Sequence, residues 1–370
     1  KTLFQAEFVM KIAILGPAPP FRGGISRFTL SLARAFKDMG HTVQLFNFKE
    51  QYPKLFFPGK GQYDAELSAN EFINHQILIP WLPKTWKTTI HELKLYRPDT
   101  IVVSWFLPYF APAFGYILRR TTFSRIVIVA HNIVSHEKWF GEKQFLQYAF
   151  QPATKIVTLS KATLDELHRK LPLYISKKGV LGFHPCYDMY NDNISATRKE
   201  NTLFFFGLIK PYKGLDVLLK AMPKVIAAFP DVKLIIAGEV YGNSNIYTEL
   251  IQKLGIEKYV DCHFSYISDP EISYFFNKSC LCILPYKSAS QSGVIATSYS
   301  FGVPVLATNV GGLGEYVIEG KTGYLVPPDN SSALAEAIIK YLKLKPDMSQ
   351  AINEYTKRYS WKGLAELLIK

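Results

Sequence analysis

Two lysines three residues apart are the residues whose type and spacing point most directly to chemistry. Lys210 and Lys213 lie in FFFGLIKPYKGLD, after an apolar run and before Gly214, where a helix is predicted to begin. Two ammonium groups at this spacing suit a diphosphate, because opposite unit charges about 4 Å apart attract by about 4 kcal/mol at an effective dielectric of about 20, before desolvation is subtracted. Such a pair could stabilise a departing nucleotide. Solvated lysines on a turn are the alternative interpretation.

Two loops place glycine before a predicted helix, where unpaired amides can bind an anion. In GPAPPFRGGISRF, Gly23 and Gly24 lie between two arginines, without the G-x-G-x-x-G spacing of a dinucleotide site. A simple tight turn is the competing interpretation there. In KSASQSGVIATSYSF, Ser292 and Gly293 open an apolar helix, and the strand after it ends in a double glycine. Both segments around this helix are rich in amides that suit oxyanions.

One histidine lies where an α/β sheet presents its functional groups. The predicted strand RIVIVA ends in His131, and ligands of such sheets bind at the carboxyl ends of the strands. The imidazole could donate a hydrogen bond to a substrate hydroxyl or carbonyl. A lone histidine is also commonly structural, so the residue alone leaves both roles open.

Several classes of chemistry find no support in the sequence. There is no D-x-D or H-E-x-x-H metal motif, no Walker A loop and no G-x-S-x-G nucleophile elbow. The four cysteines lack C-x-x-C spacing and are too few for a disulfide scaffold, which fits a reducing cytosol. We therefore expect neither a metal site nor a bound cofactor.

The stretches between the candidate residues alternate short apolar runs with amphipathic segments, in two successive series. The strands predicted for the first series are KIAILGP, TVQLFNF, TIVVSWF, RIVIVAHN and KIVTLS, and those for the second are TLFFFGLI, VKLIIAGE, CLCILPY and PVLATNV. Strands that are apolar throughout and separated by helices predict parallel sheets covered on both faces, a doubly wound α/β architecture. With 370 residues the chain is about twice the usual domain size. We expect a first domain over 10–183, a second over 184–352 with a polar linker at its start, and a C-terminal helix over 353–370. Substrates should then bind in a cleft between the two sheets.

The uncharged residues 100–118, TIVVSWFLPYFAPAFGYIL, have the bare length of a membrane span. Pro108, Pro112 and Gly115 interrupt them, so we predict a strand, a turn and the start of a helix instead. The Phe- and Tyr-rich turn could still rest on lipid headgroups. The stretch before Met10 has no long apolar run or cleavage site, and we expect Met10 to start the natural protein.

Positive charge is concentrated in the first half of the chain. Residues 1–185 carry 24 Lys+Arg against 12 Asp+Glu, a net +12, while residues 186–370 carry 19 against 18, a net +1. This asymmetry suggests an anionic partner such as a membrane surface, a phospholipid-linked substrate or nucleic acid. Lysines that only aid solubility are the alternative. No base-reading module is present, so we expect no nucleic-acid partner.

Taken in order, these segments resemble glycosyltransferase family 4, retaining enzymes of the GT-B fold that move a sugar from a nucleotide-sugar donor. The resemblance runs from Met10 to about Tyr359. It is carried by GGISRFTLSLARAFKDMGHTV, FFFGLIKPYKGLDVLLKA, VKLIIAGE and SGVIATSYSFGVPVLATNVGGLGEYVIEGKTGYLVPPDNSSALAEAI. It implies two doubly wound Rossmann-like domains facing a cleft, with a final helix that crosses back onto the first domain.

The resemblance also implies roles for residues of the first half. The family's glycine-rich loop matches Gly23 and Gly24, which implies contact with the donor phosphates or the acceptor. Its N-domain histidine matches His131, which implies a hydrogen bond to the transferred sugar. Arg22 and Arg27, beside the glycine loop, are expected to bind the acceptor.

The family's basic pair, usually G-R-x-x-x-x-K-G, is displaced in this chain. Lys213 matches the lysine, but Leu208 stands where the arginine is usual, and Lys210 is expected to substitute from two positions later. The implied role of both lysines is catalytic, holding the charge of the leaving group.

The family's Glu-x7-Glu motif falls on Ala289 and Thr297, so both glutamates are absent, as in Q-S-G-V variants of the family. By the resemblance, Ser292, Gly293 and Val294 bind the sugar or its diphosphate through backbone amides, and Thr297 occupies the position that usually contacts the ribose.

The resemblance implies a cytoplasmic retaining glycosyltransferase, peripheral at the inner membrane surface, that acts without a metal. It would transfer a UDP- or GDP-linked sugar, a substrate rather than a cofactor, to a glycan or lipid-linked acceptor in cell-surface polysaccharide or glycoconjugate synthesis. By family analogy departure is front-face and needs no protein nucleophile. Two alternatives stay open: a non-catalytic nucleotide-sugar-binding paralogue, motivated by the missing glutamates, and a nucleotide-sugar epimerase on the same fold.

Overall fold

The chain forms two compact α/β units. The computed structural model describes residues 9–53, 61–64, 67–134, 141–187 and 201–370. One unit consists of Lys1–His184 together with Trp361–Lys370, and the other of Pro185–Ser360. Each unit contains one sheet whose strands are all parallel.

The first unit is built on a seven-stranded sheet. Its strands are β1 (Lys11–Leu15), β2 (Thr42–Phe48), β3 (Ile73–Leu78), β4 (Thr100–Trp105), β5 (Arg125–Ala130), β6 (Lys155–Thr158) and β7 (Gly179–Leu181). The helices between them are α1 (Gly24–Asp38), α2 (Pro83–Tyr96), α3 (Ala111–Leu118), α4 (Glu142–Phe150), α5 (Lys161–Lys170) and α6 (Leu173–Ser176). The strand order β3-β2-β1-β4-β5-β6-β7 is that of a doubly wound sheet.

The second unit repeats this design with six strands. They are β8 (Thr202–Phe206), β9 (Lys233–Ala237), β10 (Val260–His263), β11 (Leu281–Leu284), β12 (Val305–Thr308) and β13 (Gly323–Val326), in the order β10-β9-β8-β11-β12-β13. The helices are α7 (Leu215–Ala228), α8 (Asn245–Leu254), α9 (Asp269–Lys278), α10 (Gly293–Ser300), α11 (Ser331–Leu344) and α12 (Ser349–Arg358). The two doubly wound α/β domains predicted from the sequence are confirmed.

The C-terminal segment differs from the single helix expected over 353–370. It contains the end of α12 and a separate helix, α13 (Trp361–Ile369), with the unit boundary at Ser360. α12 stays in the second unit because the Tyr355 ring packs on Tyr299 of α10, with ring centroids 5.0 Å apart.

α13 belongs to the first unit because both of its ends are held there. At its start, the Trp361 ring lies edge-on to Phe28 of α1, with centroids 5.0 Å apart. At its end, Arg125 donates to the Ile369 carbonyl at 2.5 Å and Lys155 Nζ donates to the Leu367 carbonyl at 2.8 Å. Cations at a helix C-terminus satisfy its last carbonyls and oppose the negative end of its dipole. The predicted return of the last helix to the first domain is confirmed.

Residues 100–118 form β4, a short 3-10 turn and α3, as predicted. The prediction that the aromatic turn rests on lipid headgroups is wrong for two of its rings, because Phe106 and Phe110 are buried in the hydrophobic core of the first unit. Within the described residues, every helix is too short or too polar to cross a bilayer.

A left-handed glycine fixes the turn between β8 and α7. Gly214 has a φ of +68°, and a Cβ added there would lie 1.9 Å from the carbonyl oxygen of Pro285, which follows β11. Only glycine permits this approach of two backbones. The loops that follow β8 and β11 are therefore locked together.

This contact predicts a specific loss of stability in Gly214→Ala. The matched control is Gly255→Ala, since Gly255 has a similar φ of +64° but no atom within 4 Å of an added Cβ. Both variants should lose about 1–2 kcal/mol for a left-handed alanine. Gly214→Ala should lose about 1–3 kcal/mol more, because it forces overpacking. Urea unfolding measures the difference, and equal losses in the two variants would contradict the contact.

Candidate functional site

The candidate residues of the second unit meet at one edge of its sheet. β8 and β11 are neighbours, and parallel strands present their carboxyl ends on the same side. Lys210 and Lys213 follow β8, while Tyr286 and Ser292 follow β11. The amide of Lys287 donates to the Tyr212 carbonyl at 2.7 Å, which joins the two loops a second time.

Lys213 lies against a buried tyrosine. Its Nζ donates a hydrogen bond to Tyr286 Oη at 2.6 Å and lies 3.8 Å from the centroid of the same ring. Although the side chain as a whole is partly exposed, burial of its amine, followed by the charge of Lys210, lowers its pKa from 10.5 to about 7. An ammonium held this way gains more from a bound anion than a solvated one, because the anion restores the lost favourable interaction with water.

Lys210 neighbours Lys213 but has different contacts. Its Nζ lies 5.3 Å from the Tyr241 ring centroid, and the side chain is half-buried. Lys210 precedes and Lys213 ends a 3-10 turn, Pro211–Lys213, and the two lysines repel each other in the absence of an anion. The arrangement suits a doubly charged ligand that neutralises both.

The hydrogen bonds continue from Tyr286 to the start of α10. Tyr286 Oη lies 3.3 Å from Ser292 Oγ, which accepts the amide of Val294 at 3.3 Å as the N-cap of α10. The prediction that Ser292 and Gly293 open this helix is confirmed. Lys213 is thus linked through one phenol to the positive end of a helix, where anions bind.

Thr297 lies one turn into α10 and bonds within the helix. Its hydroxyl donates to the Gly293 carbonyl at 3.0 Å, and the residue is 7% exposed. The threonine therefore fills the position of the second family glutamate with a short side chain directed to its own backbone.

The double glycine after β12 is held by another loop. A Cβ on Gly311, which has a φ of +50°, would lie 1.6 Å from the Ala289 carbonyl oxygen. The amide of Gly312 donates to the Ser290 carbonyl at 3.2 Å. These glycines thus position the segment that leads into α10. This structural role is separate from the oxyanion binding predicted for the same residues.

In the first unit, His131 follows β5 and is 3% exposed. Its amide donates to the Trp105 carbonyl at 2.9 Å, and its ring lies edge-on to Phe28 at 4.6 Å between centroids. Burial, reinforced by the charge of His184, lowers the pKa of His131 to about 3, so the imidazole is neutral at physiological pH. Its Nε2 is buried without a hydrogen-bond partner among the residues that the structure describes.

The glycine loop of the first unit ends where α1 begins. Gly23, with a φ of +106°, is the N-cap residue, and a Cβ added to Gly23 or Gly24 would have no atom within 4 Å. Arg27, in the first turns of α1, is buried and lies 3.8 Å from Asp64 Oδ2. Arg22 is half-buried before the loop. The backbone at the glycines is open enough for a ligand, whereas Arg27 is already paired with a carboxylate.

Sequence reasoning missed Tyr286, which joins Lys213 to Ser292. The available signal was its position at the carboxyl end of the apolar run CLCILPY. A tyrosine there has an apolar body suited to the core and a hydroxyl directed to the functional edge of the sheet.

Two family models match the chain, one in each unit. Residues 22–177 match "Glycosyltransferase Family 4", and residues 191–359 match "Glycosyl transferases group 1". An uncharacterised glycosyltransferase of Methanocaldococcus jannaschii is 27% identical over 223 residues, 59% of each chain. A D-inositol 3-phosphate glycosyltransferase of Corynebacterium urealyticum is 31% identical over 177 residues, 45% of this chain. The matched regions span 59% and 41% of these two relatives' own lengths.

The fold extends the likeness to the whole chain. HepE of Anabaena, solved in complex with UDP-glucose, superposes with a TM-score of 0.74 at 16% identity, over 97% of this chain and 98% of that one. The GT-B fold predicted from the sequence is confirmed. Each unit is thus similar to a glycosyltransferase domain, and the chain as a whole has the fold of a glycosyltransferase.

The contacts of Lys213 predict an unusual titration. In the ligand-free protein its ε-methylene NMR signal should shift with a midpoint near pH 7, because its amine is buried beside Lys210. The amine is charged below this midpoint and neutral above it. The Lys213→Ala variant should lack the transition, which assigns it. A midpoint at about 10, the ordinary value for lysine, would contradict the observed burial.

Proposed function

We propose that this chain, whose two domains match glycosyltransferase family 4 and group 1 models, transfers a sugar from a nucleotide-sugar donor to an acceptor. The donor binds the second domain and the acceptor the first. The observation that carries this proposal is the hydrogen-bonded connection of Lys213 through Tyr286 to Ser292 at the start of α10. This connection presents a lysine and a helix N-terminus at the functional edge of one sheet, as a diphosphate requires.

The chemistry we propose depends on charge that develops as the donor breaks. When the bond between the sugar and the diphosphate oxygen cleaves, the leaving group gains negative charge. Lys213 and Lys210 stabilise it, helped by the amide of Gly293 and by that of Val294 once it turns from Ser292 Oγ to the diphosphate, and this stabilisation lowers the barrier for departure. In this proposal no protein nucleophile and no metal takes part. The acceptor oxygen forms its bond to the sugar on the face from which the diphosphate departs, so the sugar keeps its configuration, and the acceptor hydroxyl gives its proton to the departing phosphate oxygen.

The donor we propose is UDP- or GDP-linked, and UDP-glucose is the first to test because HepE was solved with it. Thr297 replaces the glutamate that the family resemblance places against the ribose. Its hydroxyl can serve a ribose only by giving up the bond to the Gly293 carbonyl. We therefore expect ribose recognition to be weaker here than with a glutamate.

For the acceptor we propose a glycan or a lipid-linked glycan, in cell-surface polysaccharide or glycoconjugate synthesis. His131, in the same domain, is proposed to serve the transferred sugar, because its neutral imidazole has a buried Nε2 without a partner among the described residues that can bond a sugar hydroxyl. The open backbone at Gly23 and Gly24, with Arg22 beside it, suits an anionic part of a substrate. A net charge of +12 in residues 1–185 would favour a peripheral position on an anionic membrane.

The proposal is tested by incubating the purified chain with UDP- and GDP-sugars, with and without a lipid-linked glycan acceptor and with EDTA. We expect nucleotide release that rises on adding acceptor, persists in EDTA and yields the retained anomer by NMR. Conversion of the donor sugar without acceptor would instead show an epimerase. Binding without turnover for any acceptor would show a non-catalytic paralogue.

Lys213→Ala should reduce turnover at least tenfold, a loss of about 1.4 kcal/mol of transition-state stabilisation. The matched control is Lys224→Ala, because Lys224 is an exposed lysine of α7 that pairs with Glu336 of α11 at 2.7 Å. Steady-state release of nucleotide measures both variants. Equal turnover in Lys213→Ala and the control would remove Lys213 from the mechanism.

A further inference from the structure

We propose that Tyr286 is a positioning residue that holds Lys213 and the N-terminus of α10 as one unit for binding the donor diphosphate. This inference depends on the proposed function for the donor, and it adds a residue that neither the motifs nor the family resemblance singled out.

Tyr286 is fixed on several sides. The residue is 1% exposed, and its carbonyl accepts a hydrogen bond from Thr308 Oγ1 at 2.6 Å. Its ring meets Tyr212 at a 6.5 Å centroid distance and an angle of 84°. The backbone contacts of Gly214 with Pro285 and of Lys287 with Tyr212 hold the same two loops on either side of it. The phenol therefore has little freedom to follow a flexible lysine, and the lysine must adapt to the phenol.

The hydrogen bonds of the phenol have defined directions. A charged Lys213 has only donors, so Tyr286 Oη accepts from it and has its own proton left for Ser292 Oγ. Ser292 Oγ also accepts from the Val294 amide. Burial raises the pKa of Tyr286 above its usual range, so the phenol keeps this proton. Tyr286 Oη thus connects Lys213 by hydrogen bonds to Ser292, the N-cap of α10.

Tyr286 Oη joins two parts of the second unit that are distant in sequence. Lys213 and Tyr286 are 73 positions apart in the chain, so only the folded second unit brings them together. Lys210 influences Lys213 through its charge, and the Tyr212 ring lies 5.6 Å from Lys213 Nζ. Loss of the Tyr286 hydroxyl should therefore separate the lysine from the helix.

The test is Tyr286→Phe, which keeps the ring under Lys213 and removes only the hydroxyl. The matched control is Tyr299→Phe, because Tyr299 is also 1% exposed in the second unit and also makes two hydrogen bonds, to Tyr316 and Thr322. We expect Tyr286→Phe to weaken UDP-glucose binding at least fivefold by calorimetry, and Tyr299→Phe to leave it within twofold. Equal affinities in the two variants would overturn the inference.

A coupling measurement keeps the inference testable if Tyr286→Phe does not fold. Lys213→Ala, Ser292→Ala and the double variant should show non-additive losses of UDP-glucose affinity, with at least threefold coupling. Losses that multiply independently would overturn it. Where Tyr286→Phe folds, the coupling should vanish in that background, and its persistence would equally overturn the inference.

The titration of Lys213 separates this inference from the donor proposal. In ligand-free Tyr286→Phe the Lys213 midpoint should move to lower pH, because the charged amine loses its acceptor while Lys210 and Tyr212 still face it. An unmoved midpoint would overturn the inference. If the wild-type protein binds no nucleotide-sugar but the midpoint moves, the donor proposal fails and the positioning role of Tyr286 for Lys213 stands.

Discussion

The second unit is organised around a cation that is costly to bury. The Lys213 amine packs against the Tyr286 ring and donates a hydrogen bond to the Tyr286 hydroxyl. Even with both contacts, burial lowers the pKa of Lys213 to about 7. The surroundings thus stabilise the charge only in part. A diphosphate would supply the remaining stabilisation of this charge. The unfavourable burial of the Lys213 amine in the free site therefore favours binding of an anion. The left-handed Gly214 and the close approach of the β8 and β11 loops serve to keep this geometry.

The central strands of both sheets could be predicted from the sequence, and the edge strands could not. β4 is buried at every residue, and its sequence TIVVSW is accordingly uncharged and mostly apolar. The strands missing from the sequence reading, β3, β7, β10 and β13, lie at the four sheet edges. Edge strands are covered less completely and carry polar residues, as VDCH in β10 shows. An apolar run in the sequence therefore indicates that a segment is buried. It identifies a strand only where the strand lies in the centre of a sheet.

The candidate site divides along a similar line. Lys210, Lys213 and Ser292 could be found because each lies in a short segment whose spacing carries its own signal. Tyr286 could not, because its role arises from contact with a lysine 73 positions away. The end of α12 was misplaced for the same reason, since packing of Tyr355 on Tyr299, and not local pattern, assigns that helix to the second unit. Sequence patterns locate the candidate ligand-binding groups, and tertiary contacts decide which residues orient them.

The most direct measurement of the central claim is a crystal structure of the protein grown with UDP-glucose at a concentration that saturates binding in solution. We expect diphosphate oxygens about 3 Å from Lys213 Nζ and from the backbone amides at the start of α10. Lys213 Nζ should still be in contact with Tyr286 Oη. A diphosphate bound elsewhere, with Lys213 unchanged and the start of α10 untouched, would contradict it.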